Sequence, residues 1–542
     1  MEPKIDDKVI SYHSFLLPFY SKSGELHAAL SDQWDKDTLT DTHISSEKEE
    51  RKLDYATAQY FTPEAQRLLF SSESSYRYQL KGKEQFYEIE KDSVKYRLLV
   101  KKITVTVFDK NIGVLALHTE FHLKHQELGL LKMISDSEDR NKALLGAVRA
   151  INEHGRRINL PYLGTSGPDE NGEYAYSHSL VADAISLFGE REDFAAMSKE
   201  LYLGTGGYPM SGYIMKPISG LLRSLFPQND PVPVIDDRMY VCCLVDNKEL
   251  SDRIKNASAE FRESKTCEDS QCAAPAAQRD LFTDPELSDE IYAIGFIDKN
   301  EASCGLEMRE SILRRCVYNR WQQEGTIDVV THHSFVRIVG DAPDYVIAPF
   351  ITQYVYMAIG ALMQRAEILW LSNKSAEISR EYFKLSDTDK STDNDGVNVR
   401  LTELKRRYVY AQNNIFLDQL TVQEQGVEEF EMLKNELYVG QSLKKLDGSI
   451  NGIYEFTREY AEIEENDLLS KIAKIGLPLA LIQALSVIIS FAVISDVKDT
   501  LWKTLIQLGV LAVIGVISLL FLKWVMRKKK RGKGADRENK KS

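Results

Sequence analysis

Alternating and clustered apolar positions in residues 1–345 predict a β-rich domain. The segment "DKVISYHSFLLPFYSKS" has the alternation of an opening strand, and "KYRLLVKKITVTVFDKNIGVLALHTEFHL" (Lys95–Leu123) has β-branched runs on both sides of "DKNIG". Hairpin connections of this length often contain glycine, so this segment is predicted to be a hairpin. The next segment, "NKALLGAVRAINEHGRRINLPYLG", has helical spacing that ends near Gly155 and before Pro161.

Further strand-like runs follow in the same region. "RMYVCCLVD" and "EIYAIGFID" are rich in β-branched and aromatic residues, and "TIDVVTHHSFVRIVG" (Thr326–Gly340) has the pattern of a last strand pair. Residues 165–235, rich in Gly, Pro and Ser, and the polar residues 250–289 are predicted to be insertions. The spacing in "LGTGGYPMSGY" is not that of a Walker loop or a dinucleotide fingerprint, which favours an ordinary loop over a phosphate-binding one.

From about Pro349 the hydrophobic pattern becomes helical and predicts a stalk over residues 346–473. "FITQYVYMAIGALMQRAEILWLSNKSAEIS" predicts a long helix, "SDTDKSTDNDGVN" a polar break, and "RLTELKRRYVYAQNNIFLDQL" a second helix. The second helix has apolar residues at alternating spacings of three and four, namely Leu401, Leu404, Tyr408, Ala411 and Ile415. This coiled-coil-like seam either joins copies of the chain or packs within one chain.

Two uncharged apolar runs lie near the carboxyl end, at Ile475–Ile494 and Thr504–Leu522. About 20 residues at 1.5 Å rise match the roughly 30 Å hydrocarbon core of a bilayer, so both runs are predicted to be transmembrane helices. The alternative is a pair of buried core helices. The helical pattern of "EFTREYAEIEENDLLSKIAKIGLP" continues into the first run, which predicts one continuous rod through Pro478.

The charges that flank these runs predict the orientation in the membrane. Lys471 and Lys474 precede the first run, and "RKKKRGKGADRENKKS" follows the second with nine basic and two acidic residues. The start "MEPKIDDKVI" lacks the features of a signal peptide. We therefore expect a multi-pass protein of the inner (cytoplasmic) membrane with both termini in the cytoplasm, and with only the loop Ser495–Lys503 on the far side.

The predicted fold class is a cytoplasmic α+β domain followed by long stalk helices and a carboxyl-terminal two-helix transmembrane hairpin. Its predicted parts are the sensory domain (1–345), the stalk (346–473), the transmembrane hairpin (474–525) and the basic tail (526–542).

The charge balance argues against direct nucleic-acid binding. The chain has a net charge of −13, and the basic tail has a surplus of seven positive charges, so the rest of the chain carries −20. Six cysteines without regular metal-ligand spacing indicate reduced thiols, and Cys267 with Cys272 is a weak zinc motif without a nearby histidine pair. The sequence has no nucleophile elbow, metalloprotease helix motif or kinase signature, so no enzymatic activity is expected.

The combined architecture resembles the CorA superfamily of divalent-cation channels, and more closely the CorA-like membrane effectors associated with type III CRISPR systems. The segments that carry this resemblance are "ISYHSFLLPF", "VKYRLLVKKITVTVFDKNIGVLALHTE", "INEHGRRINLPYLG" and "FITQYVYMAIGALMQRAEILWLSN". CorA channels end the first membrane helix with a Gly-Met-Asn filter, which holds a hydrated magnesium ion. This chain has "FAVISDVKD" at that place and no such tripeptide, which puts selective magnesium transport in doubt.

The resemblance implies an antiviral effector with a nucleotide second messenger, SAM-AMP, as its activating ligand and no covalent cofactor. Binding in the cytoplasmic domain would open a pore or disrupt the lipid bilayer, and the resemblance suggests a homo-oligomer of five subunits. The alternatives are a divalent-cation channel of the magnesium type, for which a divalent cation would be the ligand, and a membrane-anchored sensor or scaffold without a pore.

The first membrane run has a polar stripe at Gln483, Ser486 and Ser490, which fall within about 60° of one another around a helix. We expect this stripe to line a central path with Leu479 and Ile494 as apolar constrictions, or else to form hydrogen bonds between helices. Asp496 and Asp499, in the loop, form either a negative ring at the outer mouth or ordinary solvated carboxylates.

Recognition of a nucleotide requires donors for the phosphate and an aromatic face for the base. Arg156 and Arg157 of "NEHGRRINLPYLG", with Tyr162 nearby, combine these properties at the end of a predicted helix. Arg365 in "MQRAEILW" is a weaker candidate because it lies on a long helix. For all three arginines the alternative is a structural ion pair.

Overall fold

The computed structural model describes the larger part of the chain in two compact units, which divide between Ser449 and Ile450. The described residues are 8–21, 34–36, 55–70, 75–82, 85–108, 112–157, 182–194, 225–226, 231–236, 238–266, 281–282, 284–298, 304–386, 394–494 and 509.

The described strands of the first unit form one large sheet. They are β1 (Val9–Ser21), β2 (Trp34–Lys36), β3 (Ser75–Leu80), β4 (Gln85–Lys91), β5 (Val94–Phe108), β6 (Ile112–His122), β7 (Ala184–Leu187), β8 (Glu190–Asp193), β9 (Pro231–Pro233), β10 (Tyr240–Asp246), β11 (Val317–Tyr318), β12 (Ile327–Val330) and β13 (Ser334–Val339). The strand order is β11-β12-β13-β10-β1-β6-β5-β4-β7-β8, with β9 beside β1, β3 beside β5 and β2 beside β3.

The predicted opening strand, the hairpin β5–β6 and the last strand pair β12–β13 are confirmed. β1 lies between β6 and β10 and is antiparallel to both, so that Phe15 faces Leu117 on one side and Val241 on the other. Among the described strand pairs one is parallel, β10 with β13. A parallel pair requires a crossover connection, and helices between residues 248 and 316 provide it.

The helices of the described region cover the sheet and continue toward the carboxyl end. They are α1 (Pro63–Phe70), α2 (Leu128–Ser135), α3 (Arg140–Gly155), α4 (Lys248–Thr266), α5 (Pro285–Gly295), α6 (Leu306–Cys316), α7 (Asp344–Pro349), α8 (Val355–Ser386), α9 (Asn394–Asn414), α10 (Glu424–Glu436) and α11 (Val439–Ile494). Short 3₁₀ turns lie at Leu123–His125 and Gln322–Glu324, and a π-helical turn at Phe350–Tyr354 joins α7 to α8.

The core has helices on both faces of the sheet. Phe15, Leu17 and Phe19 of β1 pack into one cluster with Ile151 of α3 and Ile291 of α5. On the other face α8 packs across β1 and β6. This explains why β1 is buried along most of its length, since a strand that is covered on both faces has few solvent-facing positions.

The strand prediction for "EIYAIGFID" is wrong, because most of these residues belong to α5. The Asp284 side chain accepts a hydrogen bond from the Leu287 amide at 3.0 Å, and Pro285 occupies the first turn. Leu287, Ile291 and Ile294 follow at helical spacing and are all buried. The start signal upstream of the segment therefore outweighs its β-branched composition.

The predicted insertions coincide in part with ordered elements. Residues 165–235 contain the hairpin β7–β8, and residues 250–289 contain most of α4 and the start of α5. Leu250 and Ile254 of α4 are buried in the core. Residues 225–226, 281–282 and strand β9 are also described, whereas most of the remainder, including "LGTGGYPMSGY" and Cys267 with Cys272, lies outside the described residues.

Among the described residues one helical stretch is long and apolar enough to cross a membrane, Asp344–Tyr382, which consists of α7, the π-helical turn and most of α8. Within the most apolar 18-residue window of this stretch, 61% is buried inside the protein. Together with its packing on β1 and β6, this identifies the stretch as a core helix of the first unit. The prediction of one long helix over this segment is confirmed.

The predicted seam on α9 is buried within the chain. Leu401, Leu404, Tyr408, Ala411 and Ile415 are each 5% exposed or less, and α9 packs on α8. Arg407 of α9 strengthens this packing, because its guanidinium stacks 3.6 Å from the Trp370 ring centroid and binds the buried Glu367. The interpretation of the seam as a surface that joins copies is therefore wrong, and the intramolecular alternative is confirmed.

The predicted rod is confirmed as one helix, α11, which passes through Pro478 and ends at Ile494. Leu479, Gln483, Ser486, Ser490 and Ile494 all lie on this helix; Gln483 is exposed, and the other four side chains are outside the description. Asp496, Asp499 and, apart from Gly509, the second predicted span also lie outside the described residues.

Candidate anion-binding site

The predicted arginine pair lies where α3 ends against the sheet. Gly155 is the last residue of α3, and a Cβ atom there would lie 2.7 Å from Ile89 Cδ1, so glycine allows the close approach of the helix to the strands. The Met239 amide donates to the Arg156 carbonyl at 2.8 Å, and Arg157 forms an antiparallel bridge with Arg238. The end of α3 is thus tied to the segment that leads into β10.

Two more basic side chains reach the same place from other elements. Arg238 precedes β10, and its Nε and Nη2 atoms donate to Asp236 at 2.8 and 2.5 Å. His333 lies in the tight turn between β12 and β13, and its carbonyl accepts from the Val241 amide at 3.0 Å. We call this group the basic cluster: Arg156, Arg157, Arg238 and His333.

Arg156 is the most unusual member of the basic cluster. Its side chain is 4% exposed, yet among the described residues its Nε and Nη1 atoms have no hydrogen-bond partner, and the side chain forms no ion pair. Burial and then the positive charges of Arg238 and Arg157 lower the pKa of Arg156 to about 9. A buried charged group without a partner is costly, so this side chain is available to an acceptor from beyond the described residues.

The histidine of the cluster is neutral under ordinary conditions. Burial, followed by the charges of Arg156 and Arg238, lowers the pKa of His333 to about 3. A neutral imidazole can still donate one N–H bond to an anion. The cluster therefore offers one guanidinium without a partner among the described residues, two further guanidinium groups and a neutral donor, which is chemistry that can bind a phosphate. The carboxylates of Asp236 and Glu153 also act on Arg156 and offset part of this positive charge.

A buried hydrogen-bond chain fixes the helix that carries Arg156. His13 of β1 bonds to Ser11 Oγ through Nε2 and to Asn152 Oδ1 of α3 through Nδ1, both at 2.8 Å. The order Ser–His–Asn is that of a nucleophilic triad, but each side chain is at most 1% exposed, and burial lowers the pKa of His13 to about 4. Since Asn152 is one turn before Arg156, this chain orients the helix end that bears the site.

Arg365 does not join the basic cluster. It lies on α8, where Nη1 donates to Ser442 Oγ near the start of α11, and burial lowers its pKa. The charges that act on Arg156 and His333 do not include it. Tyr162, the predicted aromatic partner, lies outside the described residues.

Sequence reasoning missed Arg238, Asp236 and His333. Arg238 is the first residue of the predicted strand "RMYVCCLVD", and His333 lies inside the predicted strand pair "TIDVVTHHSFVRIVG". The missing information was the parallel pairing of β10 with β13, which sets Val241 opposite Ser334 and brings the amino ends of both strands together.

No metal-binding group of three or more His, Cys, Asp or Glu side chains occurs among the described residues. Comparisons of the chain with protein-family models, with curated proteins and with solved structures found no match.

Proposed function

We propose that this chain is a membrane effector that is activated when a nucleotide second messenger binds to the basic cluster. The observation that carries the proposal is the buried guanidinium of Arg156, which has no partner among the described residues although Arg157 and Arg238 lie beside it. A structural ion pair was the alternative explanation, and the Arg156 side chain has none within the described part of the chain. A phosphate would supply the missing acceptor and balance the charge.

The proposed ligand is SAM-AMP, as the resemblance to CRISPR-associated CorA-like effectors implies. One phosphate can accept from the fork of Arg156 while Arg157 and Arg238 approach from the neighbouring bridge. Tyr162, five residues beyond Arg157, remains the proposed surface for the base.

The membrane part of the proposal rests on the sequence. Two uncharged runs, basic flanks and a short loop support a multi-pass protein with both termini in the cytoplasm, and the resemblance supports a homo-oligomer of five subunits. In this proposal Leu479, Gln483, Ser486, Ser490 and Ile494 line the path through the oligomer, and Asp496 with Asp499 lies at its outer mouth. Since the seam on α9 is buried, assembly would use other surfaces.

The test uses the full chain reconstituted in liposomes that contain a fluorescent dye. SAM-AMP should bind and release the dye, and changing Arg156 and Arg157 together to Ala should weaken binding about tenfold or more, because each arginine contributes charge-assisted hydrogen bonds. Arg157→Lys keeps the charge but loses the fork, so it should give an intermediate affinity.

The matched control is Arg400→Ala, on the exposed part of α9. This variant should bind SAM-AMP like the parent. If the folded double variant also bound like the parent, the site would be wrong. If SAM-AMP bound the parent without releasing the dye, the chain could still be a sensor, but the proposed effector function would be wrong.

A further inference from the structure

The turn between β12 and β13 faces two different parts of the first unit. His333 contributes to the basic cluster, whereas the preceding residue, His332, contacts the junction of α10 and α11. The His332 Nδ1 atom lies 2.8 Å from the Glu436 carbonyl oxygen, and its ring lies 5.8 Å from the ring of Tyr438. Because a carbonyl oxygen can only accept, Nδ1 of His332 carries the proton.

His332 is one of two residues that hold Glu436 at the α10–α11 junction; the other is Arg315, whose Nε donates to the Glu436 carboxylate at 2.8 Å. Glu436 is the last residue of α10, and the final carbonyl groups of a helix have no partner within the helix. His332 supplies one from another element. Tyr438 follows with a φ of +56°, a conformation that residues other than glycine rarely adopt, before α11 begins at Val439. The junction is therefore a strained connection held by an external cap.

The rest of α10 is firmly attached to the same hairpin. Arg337 of β13 donates to both carboxylate oxygens of Asp328 at 2.6 and 2.8 Å and approaches Glu429 of α10 at 3.4 Å. All three side chains are buried. Arg320 adds an ion pair to Glu428 at 2.9 Å. Because these ion pairs hold α10 in place, we expect a conformational change to occur at the α10–α11 junction, where α11 begins.

The turn itself is stiff, so its two histidines move together. The Thr331 Oγ1 atom accepts from the amides of His333 and Ser334 at 3.1 and 3.0 Å. An anion between Arg156 and Arg238 would give the His333 ring an acceptor on the cluster side. A shift of His333 toward that anion would carry His332 with it.

We propose that anion binding at the basic cluster draws the β12–β13 turn toward the ligand, removes the His332 cap from Glu436 and frees the start of α11. This inference rests on the proposed function, because it uses the same site. His332 is a positioning residue that acts on α11 and does not touch the ligand.

The test is amide hydrogen exchange of the full chain in nanodiscs, with and without SAM-AMP. In the parent, SAM-AMP should accelerate exchange at residues 437–446. His332→Phe keeps a ring against Tyr438 but loses the hydrogen bond, so it should exchange fast at these residues without ligand. Coupling between two sites is reciprocal, so this variant should also bind SAM-AMP about fivefold or more tightly.

His332→Asn is the matched control, because its amide can donate near the place of Nδ1; it should behave like the parent. Protection in the centres of β5 and β6 reports that each variant is folded. If SAM-AMP binds the parent without changing exchange at 437–446, or if His332→Phe binds no more tightly, this inference is overturned while the proposed ligand site stands. If SAM-AMP does not bind the parent, both fail.

Discussion

At the scale of single residues, two buried arginines differ in whether they have a protein partner. Arg156 is 4% exposed without a side-chain partner in the described region, whereas Arg337 is 6% exposed and bound to Asp328. A partnerless buried charge opposes folding, while removal of one member of a buried pair leaves the other member uncompensated. The same type of side chain should therefore have opposite effects on stability at these positions.

We expect Arg156→Met to raise the free energy of unfolding of the ligand-free chain by about 1–3 kcal/mol, because it removes a buried charge that has no partner among the described residues. Arg337→Met should lower it by about 3–5 kcal/mol, because Asp328 stays buried without its partner. Urea unfolding of both variants in detergent measures this difference. A similar loss of stability in both would mean that Arg156 has a structural role.

At the scale of elements, local periodicity predicts single helices and hairpins, whereas it carries no information on which distant strands pair. The β5–β6 hairpin, α3 and the helices from Pro349 onward each follow from their own periodicity. The strand prediction at α5 is wrong because a short apolar run fits both helix and strand, and the Asp284–Pro285 helix start signal precedes the run "EIYAIGFID".

Two of the four residues of the basic cluster can be predicted from local sequence, and the other two cannot. Arg156 and Arg157 are adjacent in the chain, so their shared chemistry is visible in the sequence. Arg238 and His333 come from positions 95 residues apart, and their meeting depends on the parallel pairing of β10 with β13. Such a pairing is set by the whole sheet and its crossover helices.

The buried seam on α9 gives a prediction at this scale. Leu404→Ala should lower the free energy of unfolding by about 2–5 kcal/mol, because it leaves a cavity against α8. Val399→Ala, on the same helix but 66% exposed, should change it by less than about 0.5 kcal/mol. Neither should change the mass of the particle in nanodiscs. A smaller particle with unchanged unfolding of Leu404→Ala would restore the seam as an assembly surface.

At the scale of the whole molecule, buried histidines make stability depend on pH. Burial is the largest cause that lowers the pKa of four of them, to about 4 for His13 and His154, to about 3 for His333, and well below the usual value for His118. The unfolded chain therefore binds more protons than the folded chain below pH 6.5. Their contribution is complete above that pH and is lost as the pH falls toward 4.

Between pH 7.5 and 5.5 we expect each of these histidines to reduce the free energy of unfolding by roughly 1 kcal/mol. Urea unfolding at pH 7.5, 6.5 and 5.5 measures the sum. His333→Gln removes one of the four titrating groups and should shrink the loss by about a quarter. An unfolding midpoint that stays constant over this range would contradict the burial of these rings.

The bridge between Phe61 and Thr421 has a consequence for synthesis on the ribosome. The Thr62 amide donates to the Leu420 carbonyl at 2.8 Å, so the first unit cannot close until about 420 residues have been translated. The first uncharged run begins only at Ile475, which at about 5–20 residues per second is several seconds later. The first unit of the nascent chain can thus begin to close before the first apolar run is translated, and in the proposed membrane effector its folding would start ahead of insertion.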